Sequence, residues 1–310
     1  MKKNKITLFG STDLTLHIFN YLLKKGYNLN GVVTIKEKIS ISYSKKKLKN
    51  VRFTNLSSIA DKHNIPTFFY KNNTNNLNSF LNTSKTEVIL AAGWFHNIPP
   101  KILNNIRICL GIHSSLLPQL KGHAPLNWAI INELKKTGVS LFEISKNIDA
   151  GKIYARKEFI IKKTDYISDL IEKCKVATLD LLDKNLKQIL EGNKKTSSGK
   201  KKESYGLNRI PDDSIIDWNF KAHKIYNLIR ASSRPYSGAF TFLNKKQVII
   251  FKSKIAYKPL VFGKPGQIFV LQKKIYVKCN DFLLEILDAE NIGGKQLIEE
   301  LLKCNHERFK

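Results

Sequence analysis

Short apolar runs that end at glycine or polar residues recur along the first part of the chain and constrain its fold most. Four of them are the segments 6–9, 29–35, 87–92 and 106–112. Runs this short, without polar alternation, are typical of strands buried on both faces of a parallel sheet. Helical segments separate some of them; the first of these has apolar residues at helical spacing, Leu14, Ile18, Leu22 and Leu23. The alternation of strand and helix predicts an α/β domain with a doubly wound, mostly parallel sheet.

A different pattern begins after residue 191. The segment 192–203, GNKKTSSGKKKE, is small, polar and free of aromatic residues, as is typical of a linker. Beyond residue 209, we expect short strands at 241–243, 247–256, 266–271, 274–279 and 282–286 and a closing helix at 294–302. That spacing predicts a small β-barrel of the oligonucleotide/oligosaccharide-binding (OB) type. The predicted organisation is a domain over 1–191, a linker over 192–208 and a smaller domain over 209–310.

Cysteine spacing and the lengths of the apolar runs indicate the class of protein. Cys109, Cys174, Cys279 and Cys304 form no Cys-x-x-Cys pair, so we expect reduced thiols in a cytoplasmic protein and no metal site. No run approaches the ~18 uninterrupted apolar residues of a membrane span, so no membrane partner is expected. The opening MKKNKITLFG is interpreted as a first strand rather than a signal peptide.

The formal charge of +28 has two interpretations. A positive surface would attract a polyanion such as tRNA or the diphosphate of a nucleotide sugar. The lysines are scattered along the whole chain among many asparagines and isoleucines, which is also what an AT-rich genome would produce. The charge therefore does not identify the substrate.

A histidine and an aspartate are the first candidates for chemistry. His113 directly follows the apolar run 106–112, where open α/β sheets bind their ligands. Asp149 lies in the polar turn 145–151, and we expect this turn to lie beside His113. A histidine beside a carboxylate can transfer a proton near neutral pH. A loop histidine can equally cap a backbone carbonyl, and the residue types alone leave both interpretations open.

Four motifs around this pair carry a family resemblance. They are HSSLLP at 113–118, KGHAPLNWA at 121–129, TGVSL at 137–141 and DAG at 149–151. In this order and spacing they resemble the 10-formyltetrahydrofolate-dependent formyltransferases, which include methionyl-tRNA and amino-sugar enzymes. The resemblance implies a Rossmann-like catalytic domain in which an amine attacks the formyl carbon and tetrahydrofolate leaves. It also implies that His113 is the catalytic histidine and Asp149 the aspartate that tunes it.

The resemblance further implies which residues contact the co-substrate 10-formyltetrahydrofolate. The loop after the run 87–92 borders the pterin ring, and many relatives carry an arginine where this chain has a histidine at position 123. The implied binding residues are His96, Asn97, Ile98, Ser115, Leu116, Leu117, Pro118, His123, Ser145, Lys146, Asn147 and Ile148.

Position 111 departs from the family pattern. The family usually places an asparagine two residues before the histidine, where its amide helps to hold the developing oxyanion, and this chain has Gly111. Losing one oxyanion donor costs roughly 2.7–4 kcal/mol of transition-state stabilisation. Either another donor serves in its place, or the protein is slow or inactive.

The resemblance leaves three functions open. The segments 124–129 and 209–214 look more like the domain that formylates UDP-4-amino-4-deoxyarabinose, and its amino-sugar relatives, than like the tRNA enzymes, which makes a nucleotide-linked amino sugar the first choice of substrate. Methionyl-tRNA formyltransferase is the alternative, because a basic loop at 45–49 and a basic barrel would suit tRNA. An inactive homologue that binds folate or nucleic acid is the third. The oligomeric state stays open, a dimer included.

Overall fold

The computed structural model describes residues 4–39, 48–193, 196 and 202–310. The basic run at 45–47 and part of the expected linker lie outside these residues. The described helices are α1 (Asp13–Lys24), α2 (Leu56–Asp61), α3 (Thr74–Thr83), α4 (Pro100–Asn105), α5 (Pro125–Ile131), α6 (Ile167–Leu190), α7 (Ala222–Ser232) and α8 (Ile298–Leu301), with a 3-10 helix at Pro211–Ser214. None of these described helices combines the length and apolar character of a membrane span.

Most strands of the described chain belong to two sheets, and the four two-residue strands form two small ladders. In chain order the strands are β1 (Lys5–Phe9), β2 (Asn28–Thr34), β3 (Lys38–Ile39), β4 (Leu48–Lys49), β5 (Thr67–Phe69), β6 (Val88–Ala92), β7 (Ile108–His113), β8 (Lys121–Gly122), β9 (Lys136–Glu143), β10 (Ile153–Ile160), β11 (Tyr205–Gly206), β12 (Ala239–Leu243), β13 (Lys246–Ala256), β14 (Ile268–Leu271), β15 (Lys274–Lys278) and β16 (Leu283–Glu290).

The larger sheet has the order β10-β9-β7-β6-β1-β2-β5. β1 pairs in parallel with β2 and β6, β2 with β5, and β6 with β7, whereas β9 runs antiparallel to β7. The chain passes from β1 outward to β2 and β5 and then returns to the other side of β1 as β6. Ligands of such sheets bind beyond the strand ends where the order reverses, which here is beside β1 and β6. The predicted α/β class is confirmed.

Three features of this part of the chain differ from the sequence prediction. His113 is the last residue of β7 rather than the first residue after it. The edge strand β10 and the short helix α4 were not predicted. β10 carries Arg156, Lys157 and Glu158 in a largely half-exposed or exposed segment, so it lacks the apolar run that marks the buried strands.

Contacts divide the chain into two compact units. The first contains Met1–Gly122, Thr137–Phe159 and Glu172–Tyr205, and the second contains His123–Lys136, Ile160–Ile171 and Gly206–Lys310. The second unit is built on an antiparallel sheet of order β12-β13-β16-β15-β14. Its core includes Trp218 and Ile250, both buried.

The C-terminal residues close this second sheet. Lys310 and Phe242 of β12 exchange backbone hydrogen bonds of 2.9 and 3.2 Å. On the opposite side, Ile268 of β14 donates to the Glu307 carbonyl at 2.8 Å and accepts from the His306 N–H at 2.9 Å. The tail thus lies between the first and last strands of the sheet, and the closed arrangement agrees with the predicted small barrel.

Phe309 provides a stability test of this closure. Its side chain is 1% exposed and stacks on Trp218 with ring centroids 5.6 Å apart. We expect Phe309→Ala to lower the free energy of unfolding of this unit by roughly 3–5 kcal/mol, because it removes a buried ring and leaves a cavity. Urea unfolding followed by tryptophan fluorescence measures the change. The exposed neighbour Lys310→Ala is the control, with an expected change below about 0.5 kcal/mol; equal effects of the two substitutions would contradict the role of the ring.

Candidate active site

His113 makes a polar contact with each of its two ring nitrogens. The residue is 9% exposed at the end of β7, directly opposite Ser140 of β9. Its Nδ1 atom lies 3.4 Å from Oδ2 of Asp149. Its Nε2 atom lies 2.7 Å from the carbonyl oxygen of Leu120. A carbonyl oxygen only accepts, so Nε2 is the donor in this contact and Nδ1 is the atom that faces the carboxylate. The ring thus caps a backbone carbonyl and also lies beside a carboxylate, and its role in proton transfer stays a prediction.

The DAG motif forms the turn that carries Asp149. Asp149 has a positive φ of 48°, a conformation that aspartate tolerates better than most residues. Its Oδ2 atom also accepts a hydrogen bond of 2.8 Å from the N–H of Gly122. A Cβ atom at Gly151 would lie 1.6 Å from the carbonyl oxygen of Glu143, so only glycine fits there. The motif thus combines a tight turn with a carboxylate held by two contacts.

The TGVSL motif supports the turn that follows the histidine. Ser140 Oγ donates to the Ser115 carbonyl at 2.7 Å and accepts from the Leu117 N–H at 3.0 Å. A Cβ at Gly138 would lie 2.2 Å from the Lys157 carbonyl oxygen, which excludes a side chain at that position. The motif is therefore explained by backbone packing and hydrogen bonding beside His113.

The predicted folate-contacting residues fall into groups with different exposure. Ser115, Leu116, Leu117 and Pro118 are buried, and Ser115 Oγ donates to the Gln119 carbonyl at 2.6 Å. The segment directly before Asp149, residues 145–148, is exposed, with Ile148 at 53%. The buried turn thus offers little side-chain surface to a ligand, whereas the exposed segment offers more. Contact of either group with folate stays a prediction.

An aromatic cluster lies in the loop that follows β6. The Trp94 ring packs on Phe9 and Tyr70 with centroid distances of 5.2 and 5.6 Å, and His96 lies 5.5 Å from Trp94. Burial lowers the pKa of the His96 imidazole below its ordinary value, so the ring is neutral at neutral pH. The Trp94 Nε1 atom is buried and has no hydrogen-bond partner among the described residues. The cluster therefore holds a donor without an acceptor beside the strands where the sheet order reverses.

The other predicted residues of this loop differ from one another. Asn97 is exposed and Ile98 is 7% exposed, so only Asn97 presents a largely accessible side chain. His123 is exposed and belongs to the second unit, where its backbone N–H donates to the Gly206 carbonyl at 2.8 Å.

Phe142 occupies the space beside Gly111. The two residues are directly opposite each other on β9 and β7, so they share a sheet face, and His113 two residues on shares it too. A Cβ atom at Gly111 would lie 2.6 Å from the Phe142 ring and 3.1 Å from Ile144. Phe142 is 5% exposed and packs with Leu117. Where the family resemblance implies an asparagine side chain, this protein thus has the ring of Phe142.

A charged cluster at the start of α1 was also missed by the sequence prediction. Asp13 accepts from Arg52 at 2.7 Å and from Lys175 at 2.8 Å. Burial alone would raise the pKa of the Asp13 carboxyl, but the two cations together hold it below its usual value. Lys175 also contacts Glu172 at 2.7 Å, so the local charges balance.

Across the described residues, no group of three or more His, Cys, Asp or Glu side chains could hold a metal ion.

Two family models match the chain. The model described as formyl transferase matches residues 4–185, and the model described as formyl transferase, C-terminal domain, matches residues 209–305. The first match alone covers more than half of the chain and contains both members of the His113–Asp149 pair.

Individual relatives support the same family. The bifunctional polymyxin resistance protein ArnA of Wigglesworthia glossinidia brevipalpis is 34% identical over 98% of this chain, which spans only 46% of that protein. The methionyl-tRNA formyltransferase of Azobacteroides pseudotrichonymphae is 31% identical over 98% of this chain and 96% of its own length. Among solved structures, the N-formyltransferase from Helicobacter canadensis in complex with folinic acid and dTDP-3-aminofucose has a TM-score of 0.66 at 18% identity, covering 91% of this chain and 98% of that one. This last likeness concerns the fold alone.

The close approach of Phe142 to Gly111 predicts a coupled pair. We expect Gly111→Ala to lower the free energy of unfolding by about 1–3 kcal/mol, because the new methyl group overpacks against a buried ring. Phe142→Leu in the same chain should recover part of this loss, since the shorter side chain leaves room. A double-mutant cycle by urea unfolding measures the coupling.

Gly293→Ala is the control for this pair, because a Cβ there would approach only Asn291 Oδ1, at 3.3 Å. Strictly additive effects of Gly111→Ala and Phe142→Leu would show that the two positions do not share space.

Proposed function

The chain belongs to the formyl transferase family, and from that premise we propose that it transfers the formyl group of 10-formyltetrahydrofolate to a nucleotide-linked amino sugar. The observation that carries the chemistry is the His113–Asp149 contact of 3.4 Å at the end of β7. Both side chains are largely buried, at 10% and 16% exposure. In such surroundings the negative charge of a carboxylate attracts a protonated imidazole more strongly than it would in water. The pair supports proton transfer as part of the reaction.

We infer from the contacts of His113 which ring atom takes part in the proton transfer. In formyl transfer the acceptor nitrogen loses a proton as its bond to the formyl carbon forms, and the folate nitrogen gains one as its bond to that carbon breaks. His113 Nε2 donates to the Leu120 carbonyl, which leaves Nδ1 without a hydrogen in the neutral ring, and we propose that the proton is exchanged there. Asp149 faces Nδ1, and its negative charge stabilises the ring while it holds the additional proton.

The site is compatible with a folate co-substrate. The buried Trp94 indole N–H has no partner among the described residues, and the neutral His96 ring lies against it. A pterin ring carries carbonyl and nitrogen acceptors that such a donor can bind. We therefore propose that the loop of Trp94, His96 and Asn97 binds the pterin, together with the exposed residues 145–148 before Asp149.

Position 111 supplies no side-chain donor for the formyl oxygen, and the ring of Phe142 fills the adjacent space. The oxyanion is therefore stabilised by another group or by water. Removing one such donor lowers kcat by roughly 10²–10³-fold in other enzymes. We propose a working but slow formyltransferase rather than the inactive homologue that the sequence left open.

Two observations support an amino sugar as the acceptor. The segment 124–129 resembles the domain that formylates UDP-4-amino-4-deoxyarabinose, and an N-formyltransferase solved with dTDP-3-aminofucose shares the fold. The motif at 209–214 adds little about the substrate, because Arg209 is engaged inside the second unit. It donates to the Asp213 carbonyl and to Ser214 Oγ at 3.1 and 3.0 Å and lies 5.4 Å from the Trp128 ring centre.

Methionyl-tRNA is the second candidate acceptor. It is favoured by the formal charge of +28. It is also favoured by the methionyl-tRNA formyltransferase of Azobacteroides pseudotrichonymphae, 96% of whose length this chain matches. A polyanion contacts many cations at once, so this alternative makes a distinct prediction for the effect of salt.

We expect His113→Gln and Asp149→Asn each to lower kcat by at least ~100-fold, because each removes one member of the pair that transfers the proton. Release of tetrahydrofolate with excess acceptor measures kcat, and circular dichroism checks the fold. The exposed His63→Gln is the matched control and should keep the wild-type rate. Near-full turnover of either variant with an intact fold would remove that residue from the mechanism.

The acceptor is tested by offering the purified protein 10-formyltetrahydrofolate with a panel of nucleotide-linked 3-amino and 4-amino sugars or with initiator methionyl-tRNA. We expect turnover with an amino sugar and only a weak effect of salt, since a diphosphate carries few charges. With tRNA as the true acceptor, log K would fall in proportion to log salt with a slope set by the phosphates contacted. Formylation of the tRNA with no sugar accepted would overturn the sugar proposal.

A further inference from the structure

A single loop contacts both members of the catalytic pair. The Leu120 carbonyl accepts from His113 Nε2 at 2.7 Å, and the Gly122 N–H donates to Asp149 Oδ2 at 2.8 Å. Leu120 has a φ of 52°, in the left-handed region that residues other than glycine rarely adopt. The direction of its carbonyl therefore depends on contacts that hold the loop in this conformation.

Ser204 makes three of these contacts. Its Oγ atom accepts from the Leu120 N–H at 2.9 Å, and its carbonyl accepts from the Lys121 N–H at 2.9 Å. Its own N–H donates to the Pro118 carbonyl at 3.3 Å. Ser204 lies 84 residues beyond Leu120, in a segment that the sequence assigns to a linker.

The neighbours of Ser204 reinforce the same attachment. The Lys121 side chain is 5% exposed, and its Nζ atom donates to Glu203 Oε1 at 2.8 Å. Tyr205 donates its hydroxyl to Glu203 Oε2 at 3.0 Å, and its ring centre lies 5.7 Å from Lys121 Nζ. The hydrogen bonds from Lys121 and Tyr205 lower the pKa of the Glu203 carboxyl below its usual value. A buried ammonium group without such a partner would destabilise the loop.

We propose that Ser204 is a positioning residue for the reaction, with Glu203 and Tyr205 holding the same segment in place. It acts through Leu120, whose carbonyl keeps the hydrogen of the neutral His113 ring on Nε2 and leaves Nδ1 for proton exchange. When the Leu120 carbonyl turns away from Nε2, the hydrogen of the neutral ring also populates Nδ1, which faces Asp149, and part of the population is then unsuited to accept a proton at Nδ1. This proposal rests on the proposed function.

The test compares Ser204→Ala with Ser204→Thr in the full-length protein. We expect Ser204→Ala to lower kcat about tenfold, the equivalent of one lost hydrogen bond, and to change KM for 10-formyltetrahydrofolate less than twofold. Ser204→Thr keeps the hydroxyl and should keep kcat within about twofold of wild type. Ser204 is exposed, so neither substitution disturbs a packed core. Ser237→Ala, an exposed serine of the second unit, is the matched control and should match the wild type.

A second measurement does not depend on turnover. In protein labelled with 15N-histidine, the His113 signals are identified by their loss in His113→Gln. We expect Nε2 to carry a hydrogen in the wild type and in Ser204→Thr, and to exchange between protonated and unprotonated forms in Ser204→Ala. Absence of turnover in the wild type would contradict the proposed function, while these spectra would still decide the role of Ser204.

Three outcomes would overturn the proposal. The first is an unchanged Nε2 signal in Ser204→Ala. The second is a loss of kcat in Ser204→Thr as large as that in Ser204→Ala. The third is an effect of Ser204→Ala that falls on KM alone, which would indicate a binding role rather than a positioning one.

Discussion

The antiparallel pairing of β9 with β7 is the constraint on which the site depends. It sets Ser140 opposite His113 and Phe142 opposite Gly111, with the turn that carries Asp149 following β9. Because β9 runs antiparallel to β7, its last residue, Glu143, pairs with Leu110, and the polar turn begins there. The chain then returns toward the C-terminal end of β7, where Asp149 lies 3.4 Å from His113. One strand pairing thus brings together His113, the carboxylate of Asp149 and the Phe142 ring that fills the space beside Gly111.

Several polar groups beside His113 and Asp149 form hydrogen bonds that hold the backbone in place. Ser140 fixes the turn after His113, Gly122 binds Asp149, and Leu120 binds His113. Phe142 adds an apolar surface beside Gly111, on the face where the histidine lies. Both side chains of the pair are largely buried, where charges interact more strongly than they do in water. The arrangement suits proton transfer better than direct stabilisation of the oxyanion by a side chain.

The large positive charge contributes little to the inner site. Arg52 and Lys175 are matched by Asp13 and Glu172, and Lys121 is matched by Glu203. These ion pairs neutralise one another locally, so the net charge of +28 comes from the remaining cations of the chain. Attraction of any anion is therefore a property of the surface rather than of the His113–Asp149 pair, and such attraction acts on association.

The sequence by itself predicted the α/β class and the small second barrel, and it pointed to His113 and Asp149 as a candidate pair. These predictions rest on apolar runs, turn residues and short motifs, which depend on residues that are close together in the sequence. Only the tertiary structure decided that Phe142 covers Gly111, that Ser204 holds the loop of Leu120, and that the C-terminal residues close the barrel. Each of these contacts joins residues far apart in sequence through strand pairing or backbone hydrogen bonds. Such contacts depend on register and chain path, which residue periodicity does not encode.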